Sequence, residues 1–286
     1  MEKVLVLGNQ GMLGHVLFKL LSNNNKNSRF TTIGINRSKN NTNKNSYYLD
    51  VLDFELLENF IDSHNPKYIV NCIGVLVEKS KKNPSLAIKI NSLLPHFLND
   101  ISLKYNFKLV HISTDCVFNG QKGKYIESDL KTENNYYGLT KNLGEIDNNQ
   151  NLTIRTSIIG PELKLRFTGL FNWIMSQNGK DVFGYSNAIW SGLTTIELSR
   201  FIIWILDKDY TGIVHATNND QISKYDLIKL INKYFHLNIN LINKEDYIID
   251  KSLVNTKIND YKFPTYQNMI KFMKLWMDGE VNYPTN

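Results

Sequence analysis

The sequence predicts an α/β fold: a doubly wound parallel sheet with a smaller, mixed α/β carboxyl-terminal part. Apolar runs of strand length alternate with amphipathic helical stretches through the first half of the 286 residues. The first run, Val4-Leu-Val-Leu, ends in glycines at 8, 11 and 14 that lead into an apolar helical pattern. The second half keeps helical patterns but loses the regular alternation, which marks it as the less regular part.

In chain order, residues 4–7 read as a buried strand and 12–21 as a helix, followed by a strand at 30–35 after the Asn-rich loop 23–27. The polar loop 37–46 leads to a short strand at 47–49 and an amphipathic helix at 54–63. Residues 68–73 form an apolar strand that Gly74 ends, and 84–105 carry helical periodicity. A strand at 108–113, a helix at 136–147 and a strand at 152–159, stopped by Gly160-Pro161, complete the alternation. Strands alternating with helices imply right-handed crossovers and parallel pairing. Further on, 169–176 and 195–206 read as helices and 212–216 as a strand. Ser223 caps a helix running to 235, with Asp226 at its third position, and 263–276 is helical with an aromatic and Met face suited to core packing. The expected division is 1–161 plus about 190–217 for the sheet domain, and 162–189 plus 218–286 for the second. No Pro/Ser-rich linker separates them, so they are expected to pack together.

Composition limits the function classes. Hydrophobic residues make up 42% and charged residues 21%, as in a soluble globular protein. No apolar run reaches the ~18 residues of a membrane span. A strand beginning this close to the amino terminus leaves no space for a secretory signal, so a cytoplasmic protein is expected. The sequons Asn40-Asn-Thr42 and Asn151-Leu-Thr153 then carry no glycosylation meaning. The net charge is +6, but the lysines are scattered, with Lys79, Lys81 and Lys82 the tightest group. That argues against a nucleic-acid partner. Two cysteines, Cys72 and Cys116, and six unspaced histidines give no disulfide framework or metal site.

The glycine spacing has a physical use. Glycine lets backbone approach a pyrophosphate, and the free N–H groups of a first helical turn favour an anion. A second constellation is His111-Ile-Ser-Thr-Asp-Cys-Val-Phe118 followed by Tyr137-Gly-Leu-Thr-Lys141. The first piece ends a strand in polar residues, where open parallel sheets bind ligands. The second places Tyr137 and Lys141 four apart on one helix face. A phenol of ordinary pKa, about 10, is a poor acid at neutral pH, and a neighbouring ammonium brings its proton within reach of transfer. Tyr-x-x-x-Lys alone is a common helical spacing; behind a strand-glycine-helix unit and Ser-Thr-Asp it is far more specific.

With these pieces in place the chain resembles the extended short-chain dehydrogenase/reductases of Rossmann type, and among them the dTDP-4-dehydrorhamnose reductase-like sugar-nucleotide reductases. The matching pieces are Gly8-x-x-Gly11-Met-Leu-Gly14, Leu49-Asp-Val51, Asn71-Cys-Ile-Gly74, Lys89-Ile-Asn91, Ser113-Thr-Asp-Cys-Val-Phe118, Tyr125-x-Glu127-x-Asp129, Tyr137-Gly-Leu-Thr-Lys141 and Arg155-Thr-Ser157, with Gly192-Leu-Thr-Thr195, Gly212-Ile-Val-His215 and Ser252-Leu-Val-Asn-Thr256 further on. The resemblance implies Thr114, Tyr137 and Lys141 as the catalytic residues, with Tyr137 the proton donor and Lys141 holding ribose hydroxyls and lowering the Tyr pKa. It implies a cofactor site of Gly8, Gly11, Met12, Leu13 and Gly14, with Asn36 and Arg37 after the second strand, Asp50 and Val51 at the adenine, Cys72, Ile73 and Gly74 alongside, and Tyr137 and Lys141 also against the cofactor. Thr114, Asp115, Cys116, Val117, Trp190 and Thr194 would meet the sugar nucleotide. Arg37 stands where a carboxylate would select NAD, and suits a 2′-phosphate instead. The expected cofactor is NADP(H), with NAD(H) possible, and no metal. A homodimer is compatible with the family.

Two positions depart from the family pattern: Cys116 where Tyr is usual, and Leu193 where Pro is usual. The expected activity is reduction of the 4-keto group of a nucleotide-activated deoxysugar, for surface polysaccharide. The alternatives are an epimerase-reductase that uses Cys116 and a non-catalytic, cofactor-binding regulatory subunit.

Overall fold

The computed structural model describes residues 1–23, 29–38, 44–163 and 169–279. Most of the Asn-rich loop expected at 23–27, the middle of the 37–46 loop and the sequon at Asn40 lie outside the described residues.

The first half runs β1 (Glu2–Leu7), α1 (Gly14–Asn23), β2 (Phe30–Asn36), β3 (Ser46–Tyr48), α2 (Phe54–His64), β4 (Tyr68–Asn71), α3 (Val77–Lys82), α4 (Pro84–Ala87), a π-helical segment (Ile88–Leu93), α5 (Leu94–Ser102), β5 (Lys108–Thr114), a 3-10 turn (Asp115–Val117), α6 (Tyr136–Leu143) and β6 (Leu152–Thr156). The remainder is β7 (Ile158–Ile159), α7 (Leu170–Met175), β8 (Asp181–Tyr185), β9 (Ala188–Trp190), β10 (Leu193–Thr194), α8 (Thr195–Ile205), β11 (Gly212–His215), β12 (Ile222–Ser223), α9 (Lys224–Tyr234), β13 (Asn240–Lys244), β14 (Ile249–Asp250) and α10 (Tyr266–Met277).

Seven strands form one sheet in the order β11-β6-β5-β4-β1-β2-β3, parallel throughout. The chain winds outward from β1 in both directions, so the β1/β4 boundary is the switch point where open α/β sheets bind ligands. Period-two alternation explains why these strands read as continuous apolar runs. Leu5, Leu7, Ile69 and Leu109 enter one buried cluster, and Val4, Val6, Val70 and Val110 the other. The second cluster continues without a break into Trp190, Leu227, Ile231, Met269 and Met273. The two parts therefore share one apolar core. The carboxyl-terminal part is mixed: β9 pairs antiparallel with β12 and parallel with β14, while β13 lies parallel to β8.

Local chemistry sets most boundaries. Asp53 caps α2 by accepting the Leu56 N–H at 3.0 Å, and Asn135 caps α6 through Gly138 at 2.9 Å. Ser223 caps α9 as expected, accepting the Asp226 N–H at 2.9 Å.

Four expectations need correction. The helix expected from residue 12 begins at Gly14, because residues 8–13 are spent on the glycine turn. The helix expected to reach 147 ends at Leu143, where Gly144 meets the π-helical segment; a Cβ there would sit 1.8 Å from the Asn91 carbonyl oxygen. The long helix expected at 84–105 is interrupted by that same segment. The strand expected at 152–159 is two strands: β7 leaves the main sheet and pairs with β10.

Candidate active site

At the end of β1, Gly8 takes φ +82°, and its carbonyl accepts the Gly11 N–H at 2.8 Å. A Cβ on Gly14 would lie 2.2 Å from the Gly8 oxygen. The turn thus closes onto the first turn of α1, which carries no acidic residue. Gly8 also lies against Ile73, to whose Cγ1 an added Cβ would come within 2.8 Å. The glycine turn and the 72–74 segment therefore flank the switch point together. Leu13 is buried beneath the turn and Met12 half-buried.

At the end of β2, Asn36 is buried, and its amide donates to Asn9 Oδ1 at 2.9 Å and Ser46 Oγ at 2.9 Å. Its own Oδ1 accepts the Ser38 N–H at 2.7 Å, which shapes the backbone on either side of the exposed Arg37. Asp50 accepts the Leu52 N–H at 3.1 Å, and Val51 is buried. Burial pushes the Cys72 thiol up to about 12, so it is a packing group rather than an acid or base.

Thr114 ends β5. Its hydroxyl donates to Asp115 at 3.0 Å and accepts the Cys116 N–H at 3.1 Å, which locks the 3-10 turn. The same hydroxyl acts on the phenol of Tyr137, opposing the rise in its pKa. Helix α6 approaches that turn closely, since a Cβ on Gly138 would be 2.5 Å from the Cys116 carbonyl oxygen. Burial, then the neighbouring Cys116, pushes the Tyr137 phenol up. Lys141 is buried and donates to the Ile112 carbonyl at 2.6 Å. Burial pulls its ammonium down to about 8, against the attraction of Glu145.

Asp115 is buried and raised for that reason, with Lys224 the first opposing charge. The Cys116 thiol is pushed up to about 12 by burial and then by Asp115. Val117 is buried in a small apolar cluster with Phe118. Trp190 is buried, and its indole N–H donates to Ser157 at 2.8 Å. Thr194 is buried as well and caps α8 through the Glu197 N–H at 3.3 Å.

Sequence reasoning missed Lys224, Lys251 and Glu133. Lys224, the first residue of α9, extends over the Trp190 ring at 5.4 Å and acts on Asp115 and Cys116. Lys251 acts on the same pair and donates to Glu133 at 2.7 Å. The Ser223/Asp226 cap could have marked Lys224 as a helix-start cation; Lys251 and Glu133 lie 118 residues apart, and nothing local joins them. Beneath the site, Arg155 makes a bidentate pair with Glu145 at 2.7 and 2.9 Å, and Ser113 donates to the same carboxylate at 2.7 Å.

The model of the RmlD substrate-binding domain family matches residues 1–250. The dTDP-4-dehydrorhamnose reductase of Aggregatibacter actinomycetemcomitans is 26% identical over 239 residues, covering 79% of this chain and 76% of that one. Methionine adenosyltransferase 2 subunit beta of Xenopus laevis is 24% identical over 252 residues, covering 82% and 73%. The crystal structure of dTDP-4-dehydrorhamnose reductase from Bacillus anthracis, in complex with NADP, superposes with a TM-score of 0.81 at 20% identity, covering 96% of this chain and 99% of that one. With the glycine turn at the switch point and α6 packed on the turn that ends β5, these matches show that the chain belongs to the RmlD substrate-binding domain family, the dTDP-4-dehydrorhamnose reductase-like group its motifs resemble.

Proposed function

We propose that the protein is an NADP(H)-dependent reductase of the 4-keto group of a nucleotide-activated deoxysugar, acting in the cytoplasm in surface-polysaccharide synthesis. The observation that carries this reading is the close packing of α6 on the turn that follows Thr114, where a Cβ on Gly138 would lie 2.5 Å from the Cys116 carbonyl oxygen, which sets Tyr137 beside Thr114 with Lys141 one helical turn away. The relatives named as reductases of such sugars support it.

The residues present suit a dinucleotide. Gly8, Gly11 and Gly14 leave backbone bare where a pyrophosphate would approach, and Cβ atoms at 8 and 14 would strike Ile73 and the Gly8 carbonyl and force the turn open. Met12 and Leu13 lie in the same turn. Asp50 and Val51 would meet the adenine, Cys72, Ile73 and Gly74 the middle of the cofactor, and Lys141 the ribose. Arg37, held out by the Asn36 turn, would meet a 2′-phosphate. When bound, the cofactor supplies hydride to the keto carbon. Thr114 then donates to the keto oxygen, and Tyr137 delivers the proton that the forming alkoxide needs. Lys141 as an ammonium stabilises the phenolate left behind. Asp115, Cys116, Val117 and Trp190 would border the sugar, and Thr194 would support that wall through its cap on α8.

Arg37→Ala is expected to raise KM for NADPH much more than for NADH. Steady-state kinetics with both cofactors check this, and equal effects would remove Arg37 from cofactor choice.

Cys116→Ser is expected to keep keto reduction within about three-fold, since the proton path of the reduction runs through Tyr137 rather than the thiol. A thiol pushed up to about 12 stays protonated at neutral pH and supplies almost no thiolate to act as a base. Reaction in deuterium oxide tests the epimerase alternative: ring deuterium introduced by the native protein and lost in Cys116→Ser would establish it.

The match to methionine adenosyltransferase 2 subunit beta supports a second reading, a cofactor-binding subunit without turnover. Under that reading NADPH binds but no keto-sugar nucleotide is reduced.

A further inference from the structure

His111 is fully buried and takes no part in the chemistry above. It lies opposite Asn71 in the β4/β5 register, and Asn71 is fully buried too. One hydrogen-bonded line runs through them. The Ile73 N–H donates to Asn71 Oδ1 at 3.1 Å, Asn71 Nδ2 lies 3.2 Å from His111 Nδ1, and His111 Nε2 lies 3.2 Å from Lys141 Nζ. Lys141 in turn donates to the Ile112 carbonyl at 2.6 Å.

The direction of this line follows from its first link. A backbone N–H can only donate, so it holds the amide oxygen of Asn71 and leaves Nδ2 facing the imidazole. Nδ2 can only donate as well, so His111 Nδ1 must accept. A neutral His111 then carries its proton on Nε2, pointing at Lys141 Nζ. A free amine accepts that N–H; an ammonium opposes it. Turning the Asn71 amide over relieves nothing, because it sets NH₂ against the Ile73 N–H.

We propose that Asn71 and His111 are positioning residues that bias Lys141 toward its free amine, and so set the pH at which the enzyme loses the ammonium that serves Tyr137. The inference rests on the reductase reading for its effect on turnover, but not for the proton arrangement itself. The other charged groups around the pair agree with it. Burial, the Lys141 charge and His96 of α5 all keep His111 neutral. Glu145, just beyond α6, favours the ammonium, but its carboxylate is already held by Arg155, Ser113 and Lys131. Burial leaves Lys141 at about 8. Because the ammonium is the active form in reduction, activity is present below that value and falls as the pH rises through it.

The test begins with long-range proton–nitrogen NMR of the histidines in the native protein, with the His111 signal assigned by its loss in His111→Gln. The Nε2–H tautomer is expected for His111; the Nδ1–H tautomer would overturn the proposal. Asn71→Asp supplies an acceptor on both oxygens, so it should convert His111 to Nδ1–H and free Nε2 to accept from the ammonium. The alkaline limb of kcat/KM should then move up by at least about one pH unit. His111→Gln, which keeps a polar group without the fixed N–H, should move it in the same direction. An unmoved limb in both variants would overturn the proposal. Titration of the Lys141 ε-carbon signal, assigned by its loss in Lys141→Arg, reads the same shift without turnover. A failure of the reductase reading is therefore distinct from a failure of this one.

Discussion

Tyr137→Phe is expected to lower kcat for keto-sugar reduction by at least about two orders of magnitude, the range for loss of a general acid. Dissociation of NADPH should change by no more than a few-fold, because the phenol contributes to proton delivery rather than to the glycine cradle. Two neighbouring groups are poor substitutes. Thr114 can hold the keto oxygen, but its aliphatic hydroxyl is a far weaker acid than a phenol and cannot deliver the proton in its place. Cys116 is held protonated by burial, and its thiol is a far weaker hydrogen-bond donor than a phenol. Stopped-flow single-turnover rates, measured beside cofactor fluorescence, separate the two effects. Near-native turnover by the Phe variant would remove Tyr137 from the mechanism.

Arg155→Leu is expected to destabilise the fold by roughly 3–5 kcal/mol, the cost of leaving a buried charge without its partner. Arg155 and Glu145 are both about 1% exposed at the side chain. The guanidinium also donates to the Glu127 carbonyl at 3.1 Å and reaches His215 Nε2 at 3.2 Å. Glu127 in turn accepts from the Thr256 hydroxyl at 2.6 Å and the His215 N–H at 3.1 Å. The pair therefore joins β6, β11 and the 254–256 segment beneath the candidate site. Burial alone would raise the Glu145 carboxyl, but the Arg155 hydrogen bonds and charge outweigh it and hold it below the usual range. Denaturant unfolding of Arg155→Leu, Glu145→Leu and the double variant checks this. The double variant should lose less than the sum of the singles, since it buries no unpaired charge. A loss below about 1 kcal/mol for Arg155→Leu would mean that the pair behaves like an exposed ion pair.

The main sheet was legible because its strands are buried on both faces. Val4-Leu-Val-Leu and Tyr68-Ile-Val leave no other reading once glycine follows. That the Thr114 and Tyr137/Lys141 segments meet was legible through their order behind the glycine turn. The small strands were not. In β8 Asp181, Phe183 and Tyr185 are exposed and the buried face is only Val182 and Gly184, while in β13 no side chain is fully buried, so neither carries an apolar stripe large enough to read. The π-helical segment was hidden because its hydrogen bonds span only one residue more than those of an α-helix, within a stretch, Ile88-Lys-Ile-Asn-Ser-Leu93, whose mixed pattern fits either. The partners of the site were hidden by distance along the chain. Lys251 and Glu133 are brought together by the fold, as are Asn71 and His111, which look like ordinary polar residues in two separate strands. Thr194 illustrates the reverse: its position suggested the sugar, and its hydroxyl caps a helix.

The central claim, that this chain transfers hydride to a keto sugar, is tested most directly by mixing the purified protein with NADPH and a nucleotide-activated 4-keto-6-deoxyhexose and following cofactor oxidation together with the reduced sugar nucleotide. The account predicts stoichiometric oxidation of NADPH, formation of the 4-hydroxy product and loss of both in Tyr137→Phe. NADPH bound at the glycine turn with no oxidation on any keto-sugar nucleotide offered would contradict it and establish the regulatory-subunit reading in its place.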